Sequence, residues 1–458
     1  MALCLATLLN ALAVSSVNMA LPELVAGLQT TYSRAQWVIV AFMIFLTAAL
    51  AVAGRASDQV GRKKIFIHGV LIFTLANLLC VFSQNIWMLV LFRALQGIGA
   101  AMSTGVAMAI ASDVLPKSRL GRAVGLLGSV SAVGTGSGPV LGGLLLEIAS
   151  WQAIFLIQVP LGILIYFLGL KYLPDDRTGA NSPKGARALN ILSAFCIFSA
   201  TLFYTLSIKP VNDYYGLLNI VSIVFAGVSL WLLWRLRFKG HRVSPIALAF
   251  THYPLTINLG TNFLVAASVM SSLVVGPFYL TLALGLDFSL AGFVMSAGSF
   301  TVAICSTVTG RIVDRFKSRA TVLFGLVCLI LGALGMVYLR VSHGVGGYLL
   351  CTATMAVGYG TYLSANNAFT MSNAGEQVRG SISGLLNLFR NLGLLTGAAL
   401  MSMVFASVAD FPQVSTSDYG LVVQGLNRVY ALALLFLLTA FVAQGLSILL
   451  SRFKNHTS

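Results

Sequence analysis

Long apolar runs separated by short polar joints dominate this chain, and their length sets the elements. An α-helix needs roughly 20 apolar residues to cross a hydrocarbon core of about 30 Å. Runs of that kind fall at 2–22, 36–53, 65–83, 86–111, 123–146, 151–170, 189–208, 215–234, 255–283, 289–309, 320–339, 346–370, 382–407 and 428–451, which predicts fourteen spanning helices. The first run begins beside Met1 with no basic residue ahead of it. It therefore reads as a retained helix, not a secretory signal.

Two of the joints resemble each other. Gly54-Arg55-Ala56-Ser57-Asp58 opens the joint after the second run, and Gly310-Arg311-Ile312-Val313-Asp314 recurs 256 residues later. A repeated joint in two apolar halves predicts a duplicated membrane bundle. The expected architecture is an all-α integral membrane protein of two six-helix bundles, residues 1–172 and 243–458. Residues 173–242 then form a linker carrying two inserted helices, the seventh and eighth runs. The stretch from Pro174 to Arg187, rich in Gly, Ser, Asn and Pro, suits a flexible connection.

Composition agrees: 58% of residues are hydrophobic and 9% charged, against roughly 25% charged in a soluble domain. The net charge of +16 raises nucleic acid as a partner, but the basic residues sit in loops on one side. With both termini in the cytoplasm, only Arg34, Lys209, Arg340 and Arg428 fall outside, while Arg93 and Arg390 lie within helices. The positive-inside rule and anionic inner-leaflet lipid account for that excess. This points to a multi-pass inner or plasma membrane protein, expected to be monomeric, with membrane lipid and no nucleic acid as partners. The six cysteines lie in apolar runs without metal-site spacing, so no metal and no cofactor is expected. Nor does any phosphate loop or nucleophile with paired acids suggest an enzyme.

The joint GRASDQVGRKKIF, residues 54–66, resembles the loop signature of the major facilitator superfamily. Gly54 and Gly61 are expected to bound a tight turn, with Asp58 capping the next helix and Arg62 reaching a carboxylate such as Asp113. Gly310 and Asp314 repeat the pattern. Arg93-Ala94-Leu95-Gln96-Gly97 resembles the family's RxxQG signature, whose arginine the resemblance associates with proton handling. An arginine about 10 Å inside a span also needs an acid, backbone carbonyls or water. Gly134, Gly138, Pro139, Gly142 and Gly143 resemble the GxxxGPxxGG signature of the antiporter branch, which implies export by exchange. Glycines four apart give a flat face for close helix contact. Residues 150–162, SWQAIFLIQVPLG, are similar to a stretch typical of fourteen-span drug:proton antiporters.

One position departs from the family. Where the first helix is expected to carry an acid, this chain has Ala13, and the next residue is Val14. Of its twelve acids, Glu23, Glu147, Asp213, Asp287, Asp410 and Asp418 map to outer loops or ends; Asp58, Asp113, Asp175, Asp176, Asp314 and Glu376 map to inner ones. Three explanations stand: Glu23 or Asp113 titrates through a vestibule, coupling is absent, or Arg93 and Arg390 attract an anionic substrate. The proton-coupling candidates are Arg93, Glu23 and Asp113. Cavity candidates are Asn18, Gln36, Gln96, Asn258, Asn262, Tyr279, Asn366, Asn387 and Arg390, polar groups within apolar segments.

The resemblance implies efflux of small amphiphilic compounds by proton antiport. Two arginines and no midplane carboxylate favour neutral or anionic lipophiles over dications. The alternatives are a metabolite or organic-anion exporter or facilitator and, more remotely, a transport-inactive sensor or scaffold.

Overall fold

The computed structural model describes residues 1–114, 117–174, 253–313, 318–372, 379–409 and 419–456, with short pieces at 196, 199–200, 202–204, 221–229 and 231. The runs at 189–208 and 215–234 therefore lie mostly outside the described residues, as do Asp314 and most of the linker. Among the described residues, eleven helices are long and apolar enough to cross a membrane.

Twelve long helices are numbered here. The first six are α1 (Ala2–Gly27), α2 (Trp37–Val60), α3 (Arg62–Val81), α4 (Ile86–Val114), α5 (Lys117–Ile148) and α6 (Gln158–Tyr172). The others are α7 (Tyr253–Phe278), α8 (Phe288–Val313), α9 (Ser318–Val337), α10 (Gly344–Ser372), α11 (Arg379–Ala409) and α12 (Tyr419–His456). Each coincides with one apolar run because a chain in hydrocarbon must satisfy its backbone internally, which an α-helix does. Of the twelve, α10 is long enough to span but falls short in apolarity. It carries Thr352, Thr354, Thr361, Ser364, Asn366, Asn367 and Thr370.

Two compact units result. The first comprises Met1–Lys239, Asp287–Phe293 and Phe411–Val414; the second comprises Gly240–Leu286, Val294–Asp410 and Ser415–Ser458. Helix pairing repeats between them. In the first, α1 packs on α5 and α6, and α3 on α4 and α6; in the second, α7 packs on α11 and α12, and α9 on α10 and α12. Glycines make the close approaches at equivalent places. Gly69 and Gly99 lie against one another between α3 and α4, and Gly325 and Gly358 do the same between α9 and α10. Gly325 follows Gly69 by the same interval that separates the two loop motifs.

The expected tight turn after the second span is narrower than the motif suggested. Gly54 and Asp58 lie within α2, which continues to Val60, and the chain breaks at Gly61 alone. Gly61 has φ 115° and ψ 138° and is itself the N-cap of α3. That backbone is open to glycine and strained for other residues. Gly61→Ala should therefore lower the melting temperature of the purified protein, by about 1 kcal/mol or more in stability. Gly128→Ala, where an added Cβ meets nothing within 4 Å, is the control and should be neutral or mildly stabilising.

Candidate functional site

In the first unit the site is built around Arg93. The arginine lies seven residues into α4, roughly 10 Å along its axis, and is 0% exposed. Its Nε donates to the Val38 carbonyl of α2 at 3.1 Å, and Nη1 donates to the Ala13 carbonyl of α1 at 3.3 Å and to Gln96 Oε1. The guanidinium carbon stands 4.2 Å from the centre of the Phe42 ring, a cation–π contact in an apolar setting. Nη2 is buried without a hydrogen-bond partner. None of these contacts is a carboxylate.

A second layer holds the first in place. Gln96 Nε2 donates to Asn77 Oδ1 of α3 at 2.9 Å, and Asn77 Nδ2 donates to the Phe73 carbonyl at 3.0 Å. A further cross-link joins α1 to α4, where Asn10 Nδ2 donates to Ser103 Oγ at 2.9 Å. Arg93 and Gln96 were expected from RxxQG, whereas Asn77, Asn10 and Phe42 were not. Buried amides in otherwise apolar runs were the available signal for the first two.

Glu23 and Asp113 lie well along their helices from the level of Arg93. Glu23 accepts from the Trp151 backbone N–H at 3.2 Å, and its Oε2 is buried without a partner. It lies roughly 15 Å further along α1 than Ala13, at the helix end facing the chain's entry into the sixth span. Asp113 is near the other end of α4, about 30 Å along it from Arg93. Arg62 does reach α4, donating from Nη1 to the Ala109 carbonyl at 3.0 Å, one turn before Asp113. Asn18 is 0% exposed and donates to the Val14 carbonyl, leaving Oδ1 unpartnered. Gln36, in the turn that opens α2, donates to the Tyr32 hydroxyl.

On α5, Gly134 lies against Leu8 and Ala11, Gly138 against Ser15 and Ser16, and Gly142 against Ser16 and Met19. The motif glycines thus form a face for α1, the helix that carries Ala13. Pro139 lies inside the uninterrupted α5, and Gly143 is buried beside Gly142.

In the second unit, amides and hydroxyls join α7, α10 and α12. Gln444 Nε2 donates to Asn258 Oδ1 at 3.0 Å and to Thr261 Oγ1 at 2.9 Å; Asn258 Nδ2 donates to Thr370 Oγ1 at 3.2 Å; Tyr362 donates to Thr261 Oγ1 at 3.0 Å. Asn262 Nδ2 donates to the Leu386 carbonyl of α11 at 2.9 Å. Tyr279 opens a π-helical turn, Tyr279–Ala283, where it stacks on Tyr348 and donates to the Arg340 carbonyl at 3.2 Å. Asn387 is exposed and Arg390 partly buried. Asn366 is 0% exposed, and neither of its amide atoms has a partner.

Two repeated all-helical units with polar groups buried inside spanning helices define a multi-pass membrane protein with an internal polar site. The sequence profile of the Major Facilitator Superfamily matches residues 3–398. The chain belongs to that superfamily of transporters. Among its relatives is the riboflavin transporter RibZ of Clostridioides difficile strain 630, 27% identical over 435 residues, or 94% of this chain and 93% of RibZ. The multidrug resistance protein Stp of Mycobacterium tuberculosis strain CDC 1551 / Oshkosh is 27% identical over 399 residues, 85% of this chain and 72% of Stp. The crystal structure of a bacterial homolog of the human lysosomal transporter Spinster shares the fold. It superposes with a TM-score of 0.68 at 17% identity, covering 97% of this chain and 95% of the other.

Proposed function

We propose that this chain exports small amphiphilic compounds across the inner or plasma membrane in exchange for protons, with neutral and anionic lipophiles favoured over dications. The observation that carries the reading is the Arg93 cage: a buried cation whose contacts are carbonyls, an amide and an aromatic face. A dication entering such a site gains no charge partner and is repelled, whereas an anion or a polarised carbonyl finds the unpartnered Nη2. The α5 glycine face on α1 and the likeness to Stp support export. Glu23 is the carboxylate available for proton exchange in α1, replacing the one that Ala13 lacks.

A second reading, export or facilitated diffusion of a metabolite, is favoured by the likeness to RibZ along nearly the whole chain. Flux into inverted vesicles separates the two. Antiport predicts that an imposed pH gradient accelerates uptake severalfold and that added substrate releases protons. Uptake indifferent to the gradient would leave a facilitator. In an efflux-deficient host, expression should protect against neutral or acidic lipophiles more than against dicationic biocides. The opposite ranking would remove Arg93 as the determinant of cargo charge.

A further inference from the structure

A short helix, Gln152–Leu156, joins the two charged groups of the first unit's site. At its start the Trp151 backbone N–H donates to Glu23 Oε1 at 3.2 Å, and a Cβ at Gly27, one turn beyond Glu23 on α1, would lie 3.7 Å from the indole nitrogen. The Trp151 and Phe155 rings meet edge to face, with centres 6.1 Å apart and planes at 85°, a favoured aromatic arrangement. The Phe155 ring centre in turn stands 6.0 Å from the Arg93 guanidinium carbon, which also has Phe42 at 4.2 Å. Trp151 is 4% exposed and Phe155 0%. Because Arg93 holds the Ala13 carbonyl, these contacts leave α1 at Glu23 and return to it at Ala13.

Each end of this path carries a buried atom without a hydrogen-bond partner, Glu23 Oε2 at one and Arg93 Nη2 at the other. Between Ala13 and Glu23, Pro22 lies inside α1, where it removes one backbone bond and permits a bend. The end of α1 that carries Glu23 can therefore shift against the part that Arg93 holds. An ionised carboxylate accepts a backbone N–H about twice as strongly as a neutral group does, so a proton added at Oε2 loosens Trp151 without displacing another partner. Trp151 and Phe155 are one turn apart, so a displacement of the first carries the second with it. Among the described residues, Tyr32, Arg34 and Glu147 are the other titratable groups at this end of the elements packed on α1. None of them bonds Glu23 Oε2.

We propose that Trp151 and Phe155 are positioning residues that transmit protonation of Glu23 to the Arg93 cage; the proposal rests on the proton-antiport reading and deepens it. With Glu23 ionised, Trp151 is held and Phe155 stays against the guanidinium. With Glu23 protonated, the short helix slackens, Phe155 withdraws and Arg93 loses one wall of its cage. Proton and cargo then alternate, as exchange requires. The path needs rings at both 151 and 155, because an aliphatic side chain at either place offers neither an edge to its neighbour nor a face to the guanidinium.

The test needs no cargo. Thermal melts of the full chain in lipid nanodiscs are measured for Glu23→Gln, which mimics the protonated acid, for Arg93→Met and for the double variant. Residues about 10 Å or more apart normally contribute additively, so the relay predicts that the two shifts in melting temperature fail to add, by about 2 °C or more. Phe155→Leu and Trp151→Leu should each restore additivity. Trp151→Phe, which keeps a ring edge and the backbone N–H, should preserve the departure. Additive shifts with Trp151 and Phe155 intact overturn the relay. So does a departure that survives both leucine substitutions, which is direct attraction between the two charges. If the departure behaves as expected while uptake by inverted vesicles is indifferent to an imposed pH gradient, the antiport reading fails and the relay does not.

Discussion

Arg93→Met should reduce transport to background while leaving the melting temperature equal to or above that of the wild type. Arg93 is fully buried, and all of its recorded partners are neutral. Taking a charged group out of water costs several kcal/mol, and an apolar residue of similar reach in its place is often neutral or stabilising by about 1–4 kcal/mol. The Val38 and Ala13 carbonyls belong to helices and keep their backbone bonds, and Gln96 Nε2 keeps Asn77, so only Gln96 Oε1 loses a donor, which offsets part of the gain by about 1–3 kcal/mol. Stability therefore has little to lose. Transport has much to lose if the cation steers cargo or protons, because among the described residues of the first unit no other buried side-chain nitrogen is left unpartnered. Arg93→Lys should also fail by roughly tenfold or more, since one ammonium cannot span carbonyls on two helices and stack on Phe42 as a planar fork does. Thermal melts beside vesicle uptake check both variants. Normal transport with a falling melting temperature would make Arg93 a structural tie.

Gly138→Val should be the most damaging single change on the α5 face. A Cβ there would lie 2.7 Å from the Ser15 Cβ and 2.9 Å from the Ser16 backbone nitrogen of α1. Part of that obstacle is backbone, so the helices themselves must separate. Overpacking of this kind costs about 1–3 kcal/mol or more, and in this place it displaces the helix whose Ala13 carbonyl binds Arg93. The expected result is a lowered melting temperature together with loss of uptake. Gly138→Ala should show the same effect in milder form, and pairing it with Ser15→Gly should restore part of it, because the two sites are in direct contact. Absence of rescue would mean that the damage arises elsewhere on α5.

Among the described residues the sequence and the structure agree on the twelve long helices and differ on their ends. Apolar runs marked each of the long helices α1 to α12, yet α1 extends from the predicted residue 22 to Gly27, and α2 continues through Gly54 and Asp58 to Val60. A helix carries on past the hydrocarbon boundary for as long as its residues tolerate helical geometry, and hydropathy does not register that tolerance. At Gly61 the positive φ stops it. Within the site, RxxQG placed Arg93 and Gln96 together because residues three apart share a helix face. The Val38 and Ala13 carbonyls had no signal, since an acceptor on the backbone is present at every residue. Asn366 was legible as a polar group in an apolar run, but its unmet hydrogen bonds were not.

Fold class, membrane residence and internal duplication were thus determined by the sequence alone. In a span the backbone hydrogen bonds are local to each segment, so each run specifies its own helix without reference to the rest. Which helix faces which, and whether Arg93 meets an acid or a carbonyl, was decided only by the tertiary structure. Lipid is as apolar as the packed interior, so a spanning helix need not set its buried face apart by polarity. Its rotation is chosen instead by close backbone approach at glycines such as Gly138 and by a few amides that find partners on other helices, and neither choice is written in the period of any one run.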